Sequence, residues 1–190
     1  MNEKELKISA KNARRAYKYT DGKGKKLLES LFGKEVLISN DIRDDIQTFE
    51  DAIEVLGDHN QAVIDYYAIT DVISAENLIA LYQLRVIAEA LNEGWRPKFN
   101  SQESRFHSWF RIYTKNEYEA LSENTKKLCR IVNHSRIHRF PSDCFAFASE
   151  QGAATHSCVY SEAGLVFRTI DLANYCGTQF IDIWEKYLFA

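Results

Sequence analysis

The sequence predicts an α+β fold: N-terminal and central helices packed on a mostly antiparallel sheet formed by the C-terminal half, closed by a C-terminal helix. Three observations predict it. Residues 74–95 carry the longest helical pattern, with Ala80, Leu84, Ile87 and Leu91 on one stripe and Ile79, Tyr82, Val86 and Ala90 beside it. A helix apolar on most sides is a central one, covered on more than one side. Residues 105–113 then alternate, Phe106, Ser108, Phe110 and Ile112 against His107, Trp109, Arg111 and Tyr113, which is the period-two pattern of a strand. Residues 144–149 alternate again, and the short, hairpin-like spacings among these stretches favour antiparallel pairing with helices on one face.

The 190 residues are enough for one core, or for one core with a helical appendage. A hydrophobic share of 45% and an aromatic share of 13% exclude a mainly disordered chain. No window reaches the roughly 18 apolar residues of a membrane span, and the basic N-terminus lacks the apolar core of a secretion signal. The expected setting is therefore inside the cell, where Cys129, Cys144, Cys158 and Cys176, which lack CxxC spacing, read as reduced thiols. Charge is uneven along the chain. Residues 1–35 hold ten Lys and Arg against five Asp and Glu, whereas residues 36–93 hold two against twelve. A basic arm beside an acidic helical segment suits attraction within the chain, with a nucleic-acid arm as the other reading.

Residues 1–34 read as a basic helical hairpin appendage and residues 35–190 as a single α+β domain. In the hairpin, residues 3–19 place Leu6, Ala10, Ala13 and Tyr17 on one stripe amid six cations. Asp21-Gly22 breaks that helix, and Leu27, Leu28, Leu31 and Phe32 make a second, stopped by Gly33. Neither helix is long enough to stand alone, so their apolar seam needs a partner. Residues 35–39 read as a short strand or extended link. Thr48 with Glu50 and Asp51 forms a capping arrangement for a helix that ends at Gly57, and residues 60–69 continue as helix. In the central helix Ser74 suits the N-cap and Gly94 the stop, and Trp95-Arg96-Pro97 turns the chain extended.

After the strand at 105–113, Thr114 caps a helix over residues 117–129. Residues 156–160 and 165–168 read as two further strands about the turn at 161–164. Thr169 caps the last helix, which faces inward with Leu172, Tyr175, Cys176, Gln179, Phe180, Ile183 and Trp184.

No nucleophile elbow, phosphate loop, dinucleotide fingerprint or HExxH motif is present. His134 and His138 lie four apart, but the surrounding Ile131-Val132 and Pro141 favour extended backbone, on which that spacing does not converge on an ion; no metal site and no cofactor are expected. His156 and Cys158 share a strand face without a sign of a nucleophile's surroundings. The most suggestive group is His107, Trp109, Arg111 and Tyr113. On an uncovered sheet face these side chains would offer stacking surfaces beside cations, as single-stranded nucleic-acid binders do. Under a covering layer the same residues are core.

A set of phrases spread from about Leu27 to the end carries a resemblance. They are Leu31-Phe32-Gly33-Lys34-Glu35, Thr48-Phe49-Glu50-Asp51-Ala52, Ala90-Leu91-Asn92-Glu93-Gly94-Trp95, Trp109-Phe110, and Leu165-Val166-Phe167-Arg168-Thr169 running into Asp171-Leu172-Ala173-Asn174-Tyr175-Cys176-Gly177-Thr178-Gln179-Phe180. The set resembles a group of uncharacterised proteins of Bacteroidales genomes and their phages or mobile elements. Phe99 stands where members often show a second Trp, and residues 145–155 are plainer than the aromatic, Gly-rich middle of the group. The resemblance implies a phage or mobile-element origin and a place in the bacterial host cytoplasm or the virion; it implies no reaction.

These readings converge on a non-enzymatic accessory or interaction protein that acts through protein contacts or self-association of the N-terminal helices, with no membrane partner. The alternative is a single-stranded nucleic-acid binder using His107, Trp109, Arg111 and Tyr113, helped electrostatically by Lys11, Arg14 and Arg15. An enzyme whose site the motifs do not reveal is a further alternative.

Overall fold

The computed structural model describes residues 8–39, 41–98, 103–128, 131–132, 143–153 and 165–190. The chain falls into two compact units, one reaching to Asp45 and the other running from Ile46 to Ala190.

The N-terminal unit contains α1 (Ala10–Tyr19), α2 (Gly22–Phe32), α3 (Lys34–Leu37) and α4 (Ile42–Asp45). Ser9 and Asp21 are the N-caps of the two longer helices, each accepting a hydrogen bond from the backbone N–H three residues on. Gly33 closes α2 at φ +78, a conformation that a side chain would strain. The unit is tied by polar contacts. Tyr17 donates its hydroxyl to Glu29 at 2.5 Å, and Arg14 donates Nε to Asp45 Oδ1 and a terminal N–H to the Asp44 carbonyl, both at 3.1 Å. Ala13 and Leu37 are buried. The strand or link expected at 35–39 is instead the helical turn α3.

The larger unit opens with α5 (Phe49–Leu56), α6 (Gln61–Thr70) and α7 (Glu76–Leu91). Thr48 accepts from the Asp51 N–H while the Asp51 carboxylate accepts from the Thr48 N–H, a complete capping box, and Gly57 ends α5 at φ +78. Asn60 caps α6 by accepting from the Ala62 N–H. The chain continues through β1 (Arg105–Thr114), α8 (Lys115–Glu119), α9 (Glu123–Leu128), β2 (Ile131–Val132), β3 (Asp143–Ala153), α10 (Ile170–Gln179) and α11 (Ile181–Phe189).

α7 is the centre of this unit. Ala80, Leu84, Ile87 and Leu91, the first apolar stripe, are all buried, as are Val86 and Ala90 of the second and Ala88, whereas Ile79 and Tyr82 are half-buried. Its cover is α5, α6 and α11, and here the expected fold class is overturned. The molecule is mainly helical, not helices laid on a sheet that occupies the C-terminal half. An apolar helix face specifies burial and leaves open whether helix or sheet provides it. Among the described residues, strand structure is confined to β1 and β3, which pair antiparallel with a register shift between Trp109 and Phe110, and to two residues of β2 at the outer edge of β3.

Four local expectations change with it. The stretch 165–168 is not a hairpin strand: Phe167 makes a single two-bond bridge with Phe106. The helix expected at 117–129 is broken into α8 and α9. The last helix is broken at Phe180 into α10, capped by Thr169 as expected, and α11. Ala75, not Ser74, holds the N-cap position of α7, without a side-chain hydrogen bond. The strand expected at 156–160 lies outside the described residues.

The buried segment Leu165-Val166-Phe167 is held by that one bridge to β1 and by a side-chain clamp, not by a continuous ladder. Asn92, just beyond the end of α7, donates its amide N–H to the Val166 carbonyl at 2.8 Å and accepts the Arg168 N–H at 3.0 Å. One side-chain amide thus does for residues 166–168 what a neighbouring strand would do. Arg168 also pairs with Glu93, which sits at φ +49. Farther along, Tyr175 donates to the Ile46 carbonyl at 2.6 Å and Gln179 to the Gln47 carbonyl at 2.8 Å, fixing the start of the unit against α10.

Candidate functional site

The two groups of site residues singled out from the sequence lie in separate compact units. His107, Trp109, Arg111 and Tyr113 are on β1. Lys11, Arg14 and Arg15 are on α1.

On β1 the alternation separates two faces. The even face lies against the C-terminal helices: Ser108 is buried and donates to the Ala173 carbonyl at 2.7 Å, and the Phe110 ring centroid lies 5.0 Å from that of Trp184. On the odd face Trp109 is 44% exposed. His107 is half-buried, and its Nδ1 is buried without a hydrogen-bond partner among the described residues. Arg111 and Tyr113 continue the odd positions of the strand, opposite Ala146 and Cys144; their side chains lie outside the description. Sequence reasoning overlooked Arg105, one position ahead of this face. It is 1% exposed, and its guanidinium donates to the Lys98 carbonyl at 3.0 Å.

On α1 the three cations have different surroundings. Arg14 is drawn inward to Asp45 and the Asp44 carbonyl, so it holds α1 to α4. Lys11 is half-buried and Arg15 is exposed.

The second helix of this unit presents the more telling surface. α2 has no buried residue. Leu27 and Leu31, one turn apart, are 61% and 63% exposed. In the seam read from the sequence, Leu28 and Phe32 are the half-buried members. Lys23 and Lys26 lie on the exposed side. The single carboxylate of the helix, Glu29, is engaged by Tyr17. Residues 10–32 hold seven Lys and Arg against two acids, and the other acid, Asp21, caps α2. This surface is therefore greasy and cationic together.

Among the described residues few groups are tuned for reactivity. Burial pushes the Cys176 thiol up to about 12, so it is an inert core thiol. The hydrogen bonds from Arg43 hold Asp41 below the usual carboxylate range. Tyr17 is raised above its ordinary value, first by the hydrogen bond to Glu29. Among the described residues no three His, Cys, Asp or Glu side chains gather as a metal site, and no helix is long and apolar enough to cross a membrane. His134, His138, His156, Cys129 and Cys158 fall outside the described residues. No family model, no curated protein and no solved structure matches this chain.

Proposed function

We propose that the chain is an interaction protein that works by protein contact, and that α2 of the N-terminal unit is the surface it uses. One observation carries this reading: two leucines a turn apart stand exposed on a helix that buries none of its own residues. Helices of this length owe their stability to packing of an apolar face, so an open face suits a partner's surface. The phrase-level likeness described above supports a phage or mobile-element setting, in the bacterial host cytoplasm or a virion.

The test places a photocrosslinking side chain at position 31, with position 182 on α11 as control, in the full chain expressed in a bacterial host. A specific adduct from position 31 alone is expected, lost in Leu27→Asp with no fall in melting temperature. Equal labelling from both positions, or none, defeats the reading.

The exposure of Trp109 favours a second reading, base stacking on the odd face of β1. A labelled single-stranded oligonucleotide should then bind in a salt-dependent way, with Trp109→Ala weakening it by about 1–3 kcal/mol per base lost from the stack. Unchanged binding in that variant eliminates it.

A further inference from the structure

The charge of the α2 surface narrows the kind of partner. We infer that the occupant of this face is an acidic amphipathic helix of a protein partner; the inference rests on the docking role proposed for α2. Lys23, Leu27 and Leu31 follow at i, i+4 and i+8, and Lys26 and Ser30 run beside them, so these five make one stripe on the helix surface. All five are exposed. No carboxylate interrupts the stripe, because Glu29 is turned to Tyr17 and Asp21 accepts the Gly24 N–H at 2.8 Å. The neighbouring helix α1 has no acidic residue at all, and Arg15 and Lys18 are among its exposed positions.

A partner that covers the two leucines must therefore set its own rim against cations. Carboxylates at the edges of an apolar stripe do this, and basic edges are repelled. The short α2 favours a helix over a lipid surface. Interfacial helices hold to membranes with larger apolar faces rich in Trp, Phe and Leu, and the exposed large apolar residues of α2 itself are Leu27 and Leu31. The eleven residues of α2 span about 16 Å at 1.5 Å per residue, the length of three turns of a docked helix.

The experiment uses the full chain and a fluorescein-labelled peptide of leucine and glutamate with leucines at i, i+3, i+4 and i+7. The same peptide with lysine for glutamate, and vesicles containing phosphatidylserine, are the comparisons. The glutamate peptide should bind, lose about tenfold in affinity on passing to roughly half-molar salt, and compete with the adduct formed from position 31. The double variant Lys23→Glu, Lys26→Glu should shift the preference about tenfold toward the lysine peptide. Equal binding of both peptides, binding to vesicles alone, or indifference to charge reversal overturns the inference. If the adduct from position 31 persists through those results, the docking role survives and the acidic partner does not. If the adduct never forms, the docking role itself has failed.

Discussion

α2 and α7 are both leucine-bearing helices, yet they do opposite things. α7 buries seven of its sixteen residues and has α5, α6 and α11 around it; α2 buries none of its eleven. The difference does not lie in apolar content alone. α7 has apolar residues on several sides, so no single neighbour satisfies it, and the chain supplies three. α2 has a narrow stripe, its charged residues include three lysines, and its unit is held by polar contacts such as Tyr17 to Glu29 and Arg14 to Asp45. Burial in one region builds a core; in the other, Leu27 and Leu31 stand exposed.

The sharpest way to break this comparison is to truncate a leucine in each helix. Leu84→Ala, at a fully buried site, should cost about 2–5 kcal/mol, because the cavity adds to the lost transfer energy. Leu27→Ala should stay within about 0.5 kcal/mol. Urea unfolding of the two variants checks both figures, and similar costs would mean that α2 is covered after all.

Next in size is Asn92→Ala. It strips the Val166 carbonyl and the Arg168 N–H of their partner at once. The Val166 carbonyl, left buried and unsatisfied, costs about 1–3 kcal/mol, and the N–H of the exposed Arg168 adds less because water reaches it. Asn92→Asp should be no milder than the alanine variant, because it keeps acceptance from Arg168 but sets a buried carboxylate oxygen against the Val166 carbonyl. A loss no greater than that of an exposed substitution would show that the clamp is dispensable.

The smallest effect sharpens the comparison from the side of the N-terminal unit, where polar ties stand in for a core. Tyr17 must keep its proton to donate to Glu29, and its folded value is raised above the ordinary 10.0. The contribution is therefore full below pH about 10 and disappears as pH rises through the raised value. Comparing alkaline melting of the wild type with Tyr17→Phe checks this: the wild type should lose its small advantage over that range, and the variant should show no such step.

What could be read from the sequence was local. Thr48 with Asp51, Gly57, and Thr169 each announce a helix boundary within three or four residues, and each is where expected. The buried stripe of α7 was equally plain, since its period belongs to one helix. The cover over that stripe was not, because helix and sheet can meet the same apolar face, and the sheet expected for the C-terminal half shrank to a few strands among helices. Leu165 to Phe167 misled for a related reason. Three consecutive buried apolar residues look the same whether a strand pairs with them or a distant asparagine clamps them. Among the candidate site residues, Arg14 pointed to electrostatics, and only the fold reveals that Asp45, thirty-one positions away, takes it up. The leucines of α2 were noticed as a seam; that Leu27 and Leu31 stand exposed while Leu28 and Phe32 are half-buried belongs to the fold.

The clamp at Asn92 also sets an order of assembly. Its two acceptor and donor partners lie 74 and 76 positions later in the chain. During synthesis the end of α7 therefore emerges long before the residues that complete it, and water must serve that amide in the interval. A contact of that sequence separation forms late, so the larger unit should remain open at this corner until residues 166–168 have left the ribosome.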